Sequence, residues 1–228
     1  MATRIDPMDH LPAATTALLS TAAGLDDLTG PSLCAGWSRA HVLSHLARNA
    51  DGLGRLVDAA HGADTTMYDS NEKRNSDIDE GSLRDRDTIL ADLGSTARAI
   101  EEALTRLPAD ADDIDVKRVP GGQTFRAGRL PFMRLREVVY HHIDLDAGPS
   151  FADLPDDLAQ AFLGEEVARL RATDAAPGLT IRSDEGDEWT LGDGASVVTG
   201  SRLALLAWLA RGIRDGVGGD LPELPEGR

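Results

Sequence analysis

The segment LREVVYHHIDL, residues 135–145, contains the side chains most suited to chemistry in this 228-residue chain. Glu137 and His141 are four residues apart, so on a helix they lie on one face, one turn from each other. Asp144 continues this polar stripe, and apolar residues cover the other faces. Because buried polar groups need partners, a polar stripe on a mostly apolar helix indicates an interior site. A carboxylate and an imidazole together suit Zn²⁺ or a similar first-row ion.

An earlier segment, HVLSH, offers a third ligand. Its two histidines, His41 and His45, are again four residues apart, and His45 lies beside the apolar positions Val42 and Leu46. We therefore predict that His45, rather than His41, joins the pair on the later segment. Two imidazoles and one carboxylate leave one coordination position of a zinc ion open, which is typical of catalytic sites. The same spacing also fits a buried histidine that is hydrogen-bonded to a carboxylate without any ion.

The single cysteine and three arginines are further candidates. With only Cys34 present, no disulfide can form within the chain, which fits a reducing compartment. No cationic motif that would activate its thiol lies nearby, so we predict an incidental small apolar residue. Arg74, in MYDSNEKRNSDID, is a candidate for binding a carboxylate, as are Arg211 and Arg214 in WLARGIRDG. Either of the last two would also serve simply to complement the negative end of a helix.

The composition argues against several kinds of partner. The formal net charge of −16 repels phosphate backbones and anionic lipids, so we predict neither a nucleic-acid partner nor a membrane partner. A small anionic substrate would need a metal ion or arginines to offset this charge. The first twenty residues carry Asp and His where a signal peptide has an unbroken apolar run. No stretch reaches about 18 consecutive apolar residues, so we expect a cytoplasmic protein.

Apolar periodicity predicts four long helices in the first part of the chain, and hence a four-helix bundle. The stretch at residues 62–83 is polar and has no clear period, which predicts a long connection between two of these helices. Residues 114–128, with one proline and two glycines in succession, predict an extended, hairpin-like crossing. The four helices are predicted over residues 8–28, 38–60, 83–107 and 130–146.

The composition changes after Gly148, where short apolar runs alternate with Asp/Gly-rich turns. The tail from residue 218 is expected to be loose. The predicted fold class is therefore α+β, with a metal-binding four-helix bundle over residues 1–148 and a small C-terminal α/β domain over residues 149–228. In the second domain, helices are predicted at 155–172 and 201–213, and strands at 179–183, 188–192 and 196–200.

In four segments the sequence resembles the mycothiol-dependent maleylpyruvate isomerases, members of the wider DinB-like metalloenzyme superfamily. The resemblance extends over nearly the whole chain. It implies a helical bundle that binds a divalent metal, commonly zinc, followed by a smaller α/β domain. The family's ligand positions fall on His45, Glu137 and His141, the same residues that the spacing indicates. The segments are GWSRAHVLSHLARNADGL (36–53), MYDSNEKRNSDI (67–78), LREVVYHHIDL (135–145) and, more loosely, VTGSRLALLAWLARGIRDGV (198–217).

The resemblance also implies an activity, the cis–trans isomerisation of maleylpyruvate to fumarylpyruvate in the gentisate route of aromatic breakdown. The thiol of the cofactor mycothiol adds to the double bond, the resulting single bond rotates, and the thiol leaves. The metal would bind the cofactor sulfur, because a coordinated thiol is deprotonated. The family uses an arginine near the end of the last helix, four residues after an aromatic. Here Arg211 follows Trp208 by three residues, and we take it as the catalytic arginine; Arg74 would neutralise a second carboxylate.

Two other functions stay open at this stage. A metal-dependent mycothiol S-transferase would use the same metal and thiol but release the adduct instead of reversing it, and no residue decides between the two. A non-catalytic metal-binding or regulatory protein is the other alternative, because fold does not fix function. An open metal position argues against this second alternative.

Overall fold

A computed structural model of the chain describes residues 5–173 and 176–225. The chain divides into two units, the first comprising Asp6–Gly148 and the second comprising Ile5 and the described residues from Pro149 onward. The first unit is helical and the second mixes helices with a sheet, which confirms the predicted fold class. None of the helices in the described part of the chain combines the length and apolarity needed to span a membrane.

Four long helices and one short helix form the first unit. The second of them, α2, is the central element, because it packs against α3, α4 and α5, while α1 packs against α4 and α5. Fourteen of the 22 residues of α2 are buried, and they include the polar residues Ser44, His45 and Asn49. The elements are α1 (Pro7–Ala23), α2 (Arg39–Ala60), α3 (Asn71–Ser82), α4 (Arg86–Leu104), β1 (Asp115–Lys117), β2 (Thr124–Arg126) and α5 (Leu130–Asp144).

The prediction of one long irregular connection over residues 62–83 is wrong, because helix α3 occupies most of it. Ser70 caps the start of this helix with its hydroxyl. Only Ile78 and Gly81 are buried, so α3 has no apolar stripe that periodicity could detect. The predicted hairpin does form, since β1 and β2 pair antiparallel.

The segment that precedes α3 is held against the hairpin. The backbone N–H groups of Met67 and Tyr68 donate to the carbonyls of Lys117 and Arg118 at 3.0 and 2.9 Å. Gly52 of α2 makes room for this segment, because a Cβ there would lie 2.8 Å from Cγ of Met67. The side chain of Tyr68 is therefore buried between α2 and the hairpin.

The second unit consists of two helices and a four-stranded sheet. Strands β3 and β5 pair parallel, and β4 and β6 pair antiparallel at the two edges, giving the order β4-β3-β5-β6. The last helix ends at Gly212, which adopts the left-handed conformation (φ 71°) that favours glycine. The elements are α6 (Asp156–Arg171), β3 (Leu179–Ser183), β4 (Glu188–Leu191), β5 (Ser196–Gly200), α7 (Arg202–Arg211) and β6 (Val217–Gly219).

The expectation of a loose tail from residue 218 is wrong at its start, because β6 pairs with β5 as an edge strand. Residues 226–228 of that tail lie outside the described residues. Arg202 anchors α7 to the rest of the unit, since its guanidinium donates to the carboxylates of Asp187 and Asp156. Burial alone would raise the pKa of Asp187, but the hydrogen bonds from Arg202 and its neighbours outweigh burial and hold it below 3.8.

Candidate metal centre

The three side chains predicted as ligands meet between α2 and α5. Nε2 of His45 lies 2.9 Å from Oε2 of Glu137, and Nε2 of His141 lies 3.5 Å from the same oxygen. One ligand atom from each residue lies within 4.8 Å of the other two. Ligands about 2.0–2.2 Å from a tetrahedral ion are spaced about 3–3.5 Å apart, so small side-chain adjustments suffice to hold one ion here.

Helix packing, rather than contact among the ligands, places these side chains. On α2, Val42 and Leu46 flank His45, and both are fully buried. Burying each such side chain stabilises a fold by about 1.5–3 kcal/mol, so the position of His45 on the bundle is fixed by the core. On α5, Val138 packs beside Glu137 in the same way and is also fully buried. The donor set therefore exists before any ion arrives.

His141 uses both of its ring nitrogens. Nε2 faces Glu137, whereas Nδ1 lies 2.8 Å from Oδ2 of Asp144, a residue with no exposed surface. Sγ of Cys34 lies 3.3 Å from the same Asp144 oxygen and 3.9 Å from Nδ1. A carboxylate that accepts the Nδ1 proton fixes the ring orientation and leaves Nε2 available to an ion. Asp144 therefore orients His141, and Cys34 is its neighbour rather than an incidental apolar residue.

Sequence reasoning missed the position of Cys34 because it depends on a loop. The backbone N–H of Leu33 donates to the carbonyl of Asp144 at 2.9 Å, which ties the loop before α2 to the end of α5. Cys34 follows directly and is partly buried. Its spacing of 110 residues from Asp144 contains no signal that would have predicted this contact.

Burial and hydrogen bonding perturb the three candidate ligands differently. Burial lowers the pKa of His45 to about 4, so this ring is neutral at pH 7 and suited to metal binding. Burial alone would raise the pKa of Glu137, but hydrogen bonds from His141 and His45 hold it well below 4.5. Burial would also lower the pKa of His141, yet Asp144, Cys34 and Glu137 raise it well above 6.5. The carboxylate of Glu137 is therefore ionised and ready to bind a cation.

A cleft of about 420 Å³ lies beside the centre and is lined in part by Trp37, Arg74 and Ile78. Nη2 of Arg74 donates to Nδ1 of His45 over 3.0 Å, and the ring of Trp37 lies 5.4 Å from that of His45. Arg74 belongs to α3, the helix that periodicity did not predict. One wall of the cleft therefore carries the guanidinium of Arg74, which is in contact with the candidate ligand His45.

The predicted catalytic arginine belongs to the second unit. Arg211 is the last residue of α7, and its Nη1 donates to the carbonyl of Ala210 at 2.8 Å. Arg214 follows the helix and is exposed. The catalytic role of Arg211 stays a prediction.

The chain is similar to known proteins in both sequence and structure. Residues 11–146 match the family model described as the mycothiol maleylpyruvate isomerase N-terminal domain. A crystal structure of the mycothiol-dependent maleylpyruvate isomerase superposes with a TM-score of 0.86 at 28% identity, covering 96% of this chain and 95% of that chain. A mutant of that enzyme gives the same TM-score and coverage at 26% identity. No curated protein sequence matches the chain.

Proposed function

Because this chain belongs to the mycothiol maleylpyruvate isomerase family, we propose that it isomerises maleylpyruvate to fumarylpyruvate with mycothiol as the thiol cofactor. Its similarity to solved structures of that isomerase runs along nearly the full length of both chains. This reaction would place the protein in the gentisate route of aromatic breakdown. The observation that carries the proposal is the meeting of His45, Glu137 and His141 beside an open cleft.

In the proposed enzyme, His45, Glu137 and His141 hold one divalent ion, and zinc suits this donor set. When bound, such an ion lowers the pKa of a thiol and polarises a substrate oxygen. Glu137 contributes the only negative charge among the three side chains. Asp144 holds the His141 ring in the orientation that turns Nε2 toward the other two ligands. Cys34 need not act as a nucleophile, because the cofactor supplies the sulfur.

Arg74 is the residue of the cleft best suited to an anionic substrate. Its guanidinium already touches the site through His45, and a guanidinium binds a carboxylate through two parallel hydrogen bonds. We propose that Arg74 binds one substrate carboxylate. Arg211 is proposed, from the family resemblance, to steady the substrate carboxylates or the negative charge that develops on the substrate when the thiol adds.

The test combines metal analysis with a thiol-dependent assay. Purified protein is expected to contain about one divalent ion per chain and to convert maleylpyruvate with mycothiol while consuming no thiol. Glu137→Ala is expected to lose both the ion and the activity, whereas Glu102→Ala, which removes an exposed carboxylate of α4, keeps both. Full activity in metal-free Glu137→Ala protein would refute the proposal. Stoichiometric thiol consumption would show an S-transferase instead.

A further inference from the structure

Several arginines of the helical unit have no carboxylate partner. Among the residues that the structure describes, Arg74, Arg118 and Arg134 belong to this group. The paired arginines of the unit include Arg48–Asp92, Arg55–Asp69, Arg84–Asp92, Arg106–Glu102, Arg126–Asp115 and Arg136–Glu137.

Two of these guanidiniums, those of Arg74 and Arg118, lie beside one side chain, Tyr68. The guanidinium carbon of Arg74 lies 5.9 Å from the Tyr68 ring centroid, and that of Arg118 lies 5.8 Å from it. Both distances are within the range of cation–π attraction. Arg134 is 1% exposed, and its Nη1 donates to the carbonyl of Leu46. Burial lowers the pKa of Arg134 to about 10, so it remains a cation at neutral pH.

Arg118 is held in place by the backbone at the end of the hairpin. Its N–H donates to the carbonyl of Gln123 at 3.0 Å, and its own carbonyl accepts the N–H of Tyr68 at 2.9 Å. The side chain is half-buried, so Arg118 keeps some contact with solvent. Arg134, by contrast, is sealed inside the bundle and can act only as a fixed positive charge.

Arg74 connects this group to the candidate metal centre, because it lies over the Tyr68 ring and its Nη2 donates to Nδ1 of His45. Burial raises the pKa of Tyr68, and the charge of Glu137 raises it further, while Arg74 and Arg118 oppose the shift. The phenol is therefore a neutral hydrogen-bond donor at pH 7. Cations that lack a carboxylate partner repel one another unless an anion joins them. A divalent ion at the centre would add to the positive charge of these arginines. A substrate with more than one negative group would then be attracted more strongly than a substrate with one.

We propose that Arg118, together with Tyr68, forms a second carboxylate-binding position that selects dicarboxylate substrates over monocarboxylate ones. This inference rests on the proposed function, in which Arg74 binds the other carboxylate. Each of the two half-buried guanidiniums, Arg74 and Arg118, would bind one carboxylate of the proposed substrate. A monocarboxylate would leave one of them unmatched. Arg118 is thus a specificity-determining residue contributed by the hairpin rather than by the helices that carry the metal ligands.

The test measures carboxylate selectivity directly, with maleate as a dicarboxylate probe and cis-crotonate as a monocarboxylate probe. Both are titrated calorimetrically into zinc-loaded protein. Arg118→Met keeps the apolar stem against Tyr68 and removes the charge. We expect it to weaken maleate binding by about 10- to 100-fold, the range of a lost charge-assisted hydrogen bond. Binding of cis-crotonate is expected to change by less than about threefold.

Two further variants test whether the loss of maleate affinity comes from the lost charge of Arg118 and not from a folding defect. Arg118→Lys restores the charge and is expected to recover most of the maleate affinity. Lys117→Met removes the exposed charge of the preceding residue, the last of β1, and should leave both affinities as in the wild type. Thermal unfolding of each variant shows whether it is folded, and Arg118→Gln replaces Arg118→Met if the latter is not.

The outcomes distinguish this inference from the proposed function. An equal loss of maleate and cis-crotonate affinity, or unchanged maleate affinity in both charge-removing variants of Arg118, overturns the inference. An effect of Lys117→Met as large as that of Arg118→Met also overturns it, because bulk charge would then suffice. If the wild type binds maleate selectively through Arg118 but does not isomerise maleylpyruvate, the carboxylate position stands and the proposed function fails.

Discussion

Replacing Asp144 by Asn tests whether the candidate centre depends on residues that never touch the ion. Asp144 has no exposed surface, and its Oδ2 lies 2.8 Å from Nδ1 of His141 and 3.3 Å from Sγ of Cys34. Asparagine has almost the same size and still offers an oxygen acceptor, but it removes the negative charge. The substitution therefore weakens the orientation and basicity of His141 without opening a cavity.

Changes to groups that orient metal-bound histidines weaken metal affinity by about 10- to 100-fold, which corresponds to about 1.4–2.7 kcal/mol. We expect Asp144→Asn to fall in this range, because its hydrogen bond with His141 is short and fully shielded from water. Cys34→Ser should matter less, by about threefold or below, because a thiol is only a weak donor to Asp144. The order of the two effects follows from charge, since only the first substitution removes an ionised group.

The measurement is a competition titration of zinc between the protein and a chromophoric chelator at pH 7. Asp146→Asn is the matched control, because this exposed residue (φ 50°) lies two positions further on, and asparagine tolerates that backbone conformation. Circular dichroism establishes that each variant is folded. A zinc dissociation constant for Asp144→Asn within twofold of the wild type would refute the reasoning.

Three other substitutions probe the surroundings of the site and the second unit. Gly52→Ala should destabilise the protein by about 1–3 kcal/mol through overpacking against Met67, measured by urea unfolding; an unchanged midpoint would contradict this packing. Arg74→Met should keep or strengthen zinc binding but lower kcat/KM at least tenfold. The reason is that an ion on Nε2 of His45 shifts the ring proton to Nδ1, where an arginine cannot accept it; weaker zinc binding would count against this assignment. Asp187→Asn should cost about 1–3 kcal/mol at pH 7. Because the folded pKa of Asp187 is depressed below 3.8, its stabilisation is present above about pH 4 and is lost as the pH falls, so the difference from wild type should shrink in acid unfolding curves.

The parts of the fold that periodicity could predict are those with an apolar stripe. Helices α2 and α5 each bury one face, so their bounds and the inward direction of His45, Glu137 and His141 followed from spacing. Helix α3 buries only two residues and is stabilised by its cap and by contact with α2, neither of which leaves a periodic pattern. Strand β6 is short and ends in two glycines, and only its partner strand defines it.

The surroundings of the candidate site were less predictable than its ligands. Contacts of Cys34 with Asp144 and of Arg118 with Tyr68 join residues that lie far apart in the sequence, and their separations along the chain carry no pattern. Each is accompanied by a backbone hydrogen bond between the same two segments, from Leu33 to Asp144 and from Tyr68 to Arg118. Local sequence therefore indicated which side chains could bind an ion, while tertiary structure determined what orients them and what charge surrounds them.

The anchoring of the candidate ligands by the bundle core has a consequence for how the protein would acquire and lose its metal. In zinc fingers the ion drives folding, so its removal unfolds the chain. Here the neighbours of His45 and Glu137 are buried in an apolar interior that needs no ion. Removing the metal with a chelator should therefore yield a folded apoprotein that can bind metal again, so the ion would be exchangeable. One carboxylate and two imidazoles accept several first-row metals. The metal ion found in the purified protein would then depend on which metals were available in the cell that produced it.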